Sequence, residues 1–231
     1  MTIPKLSKRL QCAASFVRSG AFVADVGTDH AYLPIALCLN GRIRGGVVSD
    51  IHKGPIERAT EHIRMWRLED RLTPILCDGL GAVERYCPED ILILGMGGEL
   101  ITDILARAPF VKRTGIRLIL QPMTHPEALR RFLLQEGFSI VGESLVKEEK
   151  IYQVICAEFS GQCVSVAQED SLSLLVGEQN LARRDGLTGE LVAHWQAVLE
   201  KQRNGKAQAG SDASREETLL KEIGEWQRDG Q

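Results

Sequence analysis

Residues 22–159 carry seven short apolar runs, and the spacing between those runs limits the fold more than any other feature of the chain. The runs are FVADVG (22–27), GGVVSDI (45–51), LTPIL (72–76), ILILGMG (91–97), IRLILQPM (116–123), FSIVGESLV (138–146) and YQVICAEF (152–159). Short runs rich in Val, Ile and Leu and bounded by turn residues read as strands. Helix-like segments lie between them at 34–39, 54–67, 99–107 and 126–136, with Pro34 and Pro126 admissible in a first helical turn. This alternation predicts a mostly parallel sheet covered by helices. The last two runs have only KEEKI between them, too little chain for a crossover, so they are expected to form an antiparallel hairpin.

After Gly161 the strand signal stops. Two helical segments are expected at 165–203 and 214–226, divided by the polar stretch NGKAQAGSD. In the second, Leu219, Leu220, Ile223 and Trp226 share one face, which suits an antiparallel helical hairpin or short coiled coil. With 231 residues the chain holds one full-sized domain and an appendage, divided as 1–161 and 162–231.

The chemistry concentrates where the predicted strands end, the ligand-binding edge of open α/β sheets. The first strand runs into DVGTDHAYLP (25–34). Gly27 allows close backbone approach, and the following helix start offers free N–H groups. The motif lacks the second and third glycines that admit a pyrophosphate, which disfavours a dinucleotide enzyme. A carboxylate from Asp25 or Asp29 instead suits a zwitterionic, phosphate-free cofactor such as S-adenosyl-L-methionine (AdoMet). Asp50, with Ile51 beside it, ends the second strand where a carboxylate can accept from both ribose hydroxyls; Asp78 and Gly79 follow the third, placed for an adenine amino group. Each acid has a plainer reading: a turn cap at Asp25, a helix cap at Asp50, an Asp-Gly turn at Asp78. The fourth strand ends in GMGGELI, where Gly95, Met96, Gly97 and Gly98 bring backbone close and leave room for a flat acceptor; the alternative is a Gly-rich bend. Gln121 ends the fifth strand on the same rim.

The charge count separates the two parts. Of 28 Lys+Arg and 31 Asp+Glu in the chain, 8 and 12 fall in residues 162–231, leaving 20 and 19 upstream. The net charge of -3 therefore belongs to the tail, and does not exclude a nucleic-acid partner for the nearly neutral body. Lys5, Lys8 and Arg9 form one basic face if the N-terminal segment is helical. Arg42, Arg44, Lys112, Arg113, Arg130, Arg131, Lys147 and Lys150 extend a basic rim or are simply solvated. The six cysteines show no paired spacing, and neither they nor the histidines form a metal-binding pattern. No membrane span or signal-peptide pattern occurs, so a cytoplasmic protein is expected. The residues leave the oligomeric state open, with a monomer as the working expectation.

Taken together, LSKRL (6–10), DVGTDHAYLP, SDI (49–51), CDGL (77–80), GMGGELI and QPM (121–123) resemble the bacterial tRNA (adenine(22)-N1)-methyltransferase family, across essentially the whole chain. The resemblance implies a Rossmann-like, seven-stranded class I AdoMet methyltransferase domain with a C-terminal coiled-coil-like extension. It also implies transfer of a methyl group to N1 of an adenine in the D-arm region of tRNA. By motif position, Asp25, Gly27, Asp50, Ile51, Asp78, Gly79, Gly95, Met96 and Gly97 would hold AdoMet. Asp29, His30 and Tyr32 would lie at the reaction centre, and Lys5, Lys8, Arg9, Gly98 and Gln121 would meet the substrate. No metal is implied. The rival readings are a methyltransferase of the same fold acting on another substrate, and an AdoMet-binding protein without catalysis.

Overall fold

The computed structural model describes residues 4–28, 30–165 and 170–230. Seven strands are present: β1 (Ala21–Val26), β2 (Ile43–Asp50), β3 (Leu72–Leu76), β4 (Asp90–Met96), β5 (Arg117–Pro122), β6 (Phe138–Lys147) and β7 (Ile151–Phe159). Each lies within two residues of its expected limits. They form one sheet in the order β3-β2-β1-β4-β5-β7-β6. The first five pair in parallel, and β7 lies antiparallel to both β5 and β6. The expected hairpin is made, with Lys147 opposite Ile151. Between β1 and β4 the strand order reverses direction, which opens a crevice at the carboxyl ends of those strands.

Neighbouring residues of a strand point to opposite faces, so a strand buried on both sides must be apolar throughout. Val23, Leu92 and Ile119 pack against α1 (Lys8–Phe16), α2 (Tyr32–Leu39) and α3 (Lys53–Met65). Ala24, Ile91, Ile93, Leu118 and Leu120 pack against α4 (Gly98–Ala106) and α5 (Pro126–Gln135) on the other face.

The C-terminal region differs from the expectation of one helix over 165–203. It is divided into α6 (Leu172–Val176), α7 (Glu178–Arg183) and α8 (Gly186–Gln208), followed by α9 (Ser214–Arg228). Two local features break the helix. Gly177 has φ +97°, and a Cβ there would stand 2.4 Å from the Glu143 carboxylate oxygens. Arg184 is left-handed, after which Asp185 caps α8 by accepting from Thr188 N at 2.8 Å. The polar divider is also shorter than expected, because α8 runs on to Gln208. α9 then folds back antiparallel: Lys206 meets Glu216 near the turn, while Gln227 Nε2 donates to Gln196 Oε1 further along. Leu191, Val192, Leu199, Leu219 and Ile223 fill the seam, and Leu145 and Ile151 of the hairpin pack against it.

A buried charge network joins this extension to the sheet. Arg130 of α5 is 1% exposed. Its Nε donates to Glu143 Oε1 at 2.8 Å, its Nη2 to Gln153 Oε1 at 2.7 Å, and its Nη1 to Leu174 O at 2.8 Å. The guanidinium thus satisfies carbonyls at the end of α6, where a cation is favoured.

Candidate functional site

The turn after β1 is made by the backbone. Gly27 N and Thr28 N both donate to Ser49 O of β2, at 2.8 and 3.0 Å. Gly27 has φ +78°, and a Cβ there would lie 2.1 Å from Met96 Cε at the end of β4. Ala31 N donates to Thr28 Oγ1 at 3.0 Å, which holds Ala31 at φ +55° as α2 begins. A left-handed alanine costs about 1–2 kcal/mol, so this turn is held rather than relaxed. Asp25 lies beneath it, buried, and among the described residues it pairs with no Lys or Arg. Burial pushes its carboxyl up to about 6, partly offset by a hydrogen bond with Thr28. Asp29 lies outside the described residues.

The other two acids are partly engaged. Asp50 Oδ1 accepts from His52 N at 2.7 Å and lies 3.3 Å from His52 Nδ1, so one oxygen shapes the turn into α3. Ile51 is exposed beside it. Asp78 is exposed and accepts from Arg107 Nη1 at 2.9 Å; that hydrogen bond holds its carboxyl below the usual range. Gly79 has φ +54° and packs on Ile104. Leu80, Ile104 and Ala108 line a cleft of about 340 Å³ next to Asp78.

At the end of β4 the glycines have separate jobs. Gly95 has φ +81°, with Arg9 Nη1 3.5 Å from where a Cβ would stand. Gly97 precedes α4 and approaches Thr124 Oγ1. Gly98 is a packing position, contrary to the expectation that it meets substrate: it is buried, and a Cβ there would lie 2.1 Å from His125 O. Gln121 is likewise fully buried: Arg9 Nη1 donates to its Oε1 at 2.6 Å, and its own Nε2 donates to Pro122 O at 2.8 Å.

The basic N-terminal face is not formed as expected. Lys5 precedes α1, which starts at Lys8 after the Ser7 cap, so Lys5 and Arg9 do not share a helical face. Arg9 turns inward, 5.6 Å from the Tyr152 ring centre. Glu148, in the turn between β6 and β7, fixes it there by accepting from Arg9 N at 2.9 Å. The carboxylate sits at a helix N-terminus, and the Arg9 N–H holds its pKa below the usual value.

His30 and Tyr32 meet a residue to which the sequence assigned no chemistry. The rings of His30, Tyr32 and His62 lie 4.9, 5.2 and 5.1 Å apart and within 22° of parallel. Nearly equal separations describe a triangle rather than a column, so the rings make a composite surface. Tyr32 is 43% exposed on it. His62 Nδ1 lies 3.1 Å from His30 O, which ties α3 to the start of α2. A separation of 32 residues carries no sequence signal, and only the packing of α2 beside α3 reveals the group.

Most of the expected basic rim is already paired. Arg130 is buried with Glu143; Arg131 pairs with Asp170, Arg44 with Glu89, Lys112 with Glu136, Arg113 with Glu84 and Lys147 with Glu190. Arg42 donates to Val17 O. Among the described residues Lys150 forms no ion pair. Its Nζ lies 5.4 Å from the Tyr152 ring centre.

A family model described as a methyltransferase domain matches residues 6–155. The tRNA (adenine(22)-N(1))-methyltransferase of Bacillus subtilis strain 168 is 35% identical over 228 residues, covering 95% of this chain and 92% of its own length. The crystal structure of the B. subtilis M1A22 tRNA methyltransferase TrmK has a TM-score of 0.81 at 30% identity, with 96% of this chain and 95% of that one covered. A Streptococcus pneumoniae chain solved in complex with S-adenosyl-L-methionine has a TM-score of 0.81 at 31% identity, with 96% and 99% covered.

Proposed function

We propose that this chain, which belongs to the tRNA (adenine(22)-N1)-methyltransferase family, transfers the methyl group of AdoMet to N1 of adenine 22 in tRNA. The observation that carries this reading is Asp25: a buried carboxylate at the sheet's switch point, beside a glycine turn, with no Lys or Arg paired to it among the described residues. Such a group favours a ligand that brings its own positive charge and repels a phosphate. AdoMet, when bound, supplies an electrophilic methyl on a sulfonium. Asp25 and the Gly27 turn would hold its amino-acid end, Asp50 its ribose, and Asp78 with Gly79 its adenine. Gly95, Met96 and Gly97 would leave space for the acceptor.

Adenine N1 is reachable only when its Watson–Crick edge is freed from the folded RNA. The exposed Tyr32 face, backed by His30 and His62, offers a stacking surface for the displaced base. Methylation leaves the ring cationic. Asp29, between Thr28 and His30 in sequence, is the proposed carboxylate that accepts from the exocyclic amine and stabilises that charge. An Asp29→Ala protein with unchanged turnover would remove this role. Residues 1–161 form the catalytic part and 162–231 the part that grips RNA. Among the described residues no helix is long and apolar enough to cross a membrane, and the proposed place of action is the cytoplasm.

The decisive test incubates the protein with labelled AdoMet and unmodified tRNA, then maps the label. The expected product is 1-methyladenosine at position 22. Label on another nucleoside, or none on tRNA, would contradict the proposal.

A further inference from the structure

One cavity lies beside the strand-end rim rather than on it. About 670 Å³ of space separates the β6–β7 turn and the loop after β5 from α8, within the range of small-ligand sites, roughly 300–1,000 Å³. Met123 and Glu127 border it from the β5–α5 side, Lys150 and Tyr152 from the hairpin, and His194 and Trp195 from α8.

Three features give the cavity a chemical character. Aromatic and imidazole rings line it, and stacking on such rings suits any nucleobase. Lys150 offers a cation to the groove and is committed to no carboxylate among the described residues. Trp195 and Glu127 line it, and each carries one buried polar atom, Trp195 Nε1 and Glu127 Oε2, with no hydrogen-bond partner among the described residues. An unmatched buried donor and acceptor are unfavourable, and a ligand that pairs with both relieves that cost. The exposed Lys147–Glu190 pair bridges hairpin and α8 at the groove. Such surface pairs contribute little, so parting them to admit a ligand is cheap.

The cavity adjoins the acceptor rim: Pro122 and Met123, which line it, pair with Met96 at the end of β4. Tyr152 is shared: one cation near its ring is Lys150, in the groove, and the other is Arg9, which bonds Gln121 and borders Gly95. A polynucleotide with one base at Gly95 therefore has its neighbouring residues within reach of the groove.

We propose that this groove takes a second nucleotide of the tRNA, displaced from the stack near the methylated adenine, and that α8 is present in the fold to form its outer wall. The base stacks against Tyr152 and the α8 rings, its edge pairs with Trp195 Nε1 and the Glu127 carboxylate, and Lys150 meets a phosphate. This assignment rests on the tRNA methyltransferase reading and deepens it.

The test compares full-length wild type with Trp195→Phe, which keeps an aromatic ring and removes the N–H, and with exposed Lys150→Gln. Steady-state methylation of unmodified tRNA, tRNA binding across a salt series and AdoMet binding are measured for each. The expected result for Trp195→Phe is a roughly fivefold rise in tRNA KM and Kd, with kcat and AdoMet affinity as in wild type. For Lys150→Gln the log–log salt slope of tRNA binding falls by about one phosphate contact. Wild-type tRNA KM and Kd in both variants, or equal weakening of AdoMet and tRNA, would overturn the groove assignment while leaving the function intact. Wild-type protein that methylates no tRNA would instead overturn the functional reading on which it rests.

Discussion

The two ends of the sheet are built by different means. From β1 to β4 the rim is backbone: Gly27 and Thr28 N–H groups on Ser49 O, and glycines at 27, 79, 95, 97 and 98 placing main chain against main chain or side chain. At β6 and β7 the joints are charged side chains far apart in sequence: Arg130 with Glu143, Glu148 on the start of α1, Lys147 with Glu190. A backbone-built rim tolerates changes of charge but not an added methyl group. A charge-built joint tolerates changes of shape but not the loss of one partner.

The largest expected effect lies in the charge-built half. Arg130→Ala strands Glu143 in the interior and should cost about 3–5 kcal/mol in chemical denaturation. Replacing both partners, as Arg130→Met with Glu143→Leu, should recover much of that loss. A single-variant cost under about 1 kcal/mol would mean that the pair does not secure the extension.

Next comes the backbone-built half. Gly98→Ala pushes a Cβ against His125 O and should cost about 1–3 kcal/mol. Gly205→Ala, within α8 where a Cβ meets open space, should gain about 0.5–1 kcal/mol. Equal effects at the two positions would mean that the rim is no more tightly packed than the open face of α8.

A smaller effect is expected with pH. Asp25 titrates at about 6, and an AdoMet cation favours its ionised form. AdoMet affinity should therefore fall about tenfold between pH 7 and pH 5, relative to an Asp25→Asn protein. For the ligand-free fold the sign reverses: the carboxyl is raised, so its ionisation opposes folding, and this group's contribution improves as pH falls through 6. Titration calorimetry at the two pH values measures the first effect, and a flat wild-type profile would contradict it. The smallest change is Lys112→Ala, which removes an exposed pair with Glu136 and should stay within about 0.5 kcal/mol in a thermal melt.

This contrast also explains how much the sequence reveals. Strands and the hairpin are local patterns, so LTPIL and the KEEKI connection predict β3 and the β6–β7 pairing directly. The Asp25–Gly27 turn is legible for the same reason. The break of the C-terminal helix was not, because Gly177 is set by Glu143 in a distant strand and Arg184 carries no turn signature. Arg130 reads as a surface cation until its partners are placed around it, and Arg9 reads as one face of a basic helix until Glu148 and Gln121 are seen to turn it inward. His62 and Trp195 have no local signal, since their meaning depends on which helices become neighbours.

If one end of the sheet holds the cofactor and the other the RNA, damage at one end should spare the other's ligand. The most direct test measures binding of AdoMet and of unmodified tRNA separately to Asp25→Asn protein at pH 7.5. The expected result is AdoMet affinity reduced about tenfold or more, with tRNA affinity unchanged. Unchanged AdoMet affinity, or weakening of tRNA to the same degree, would contradict it.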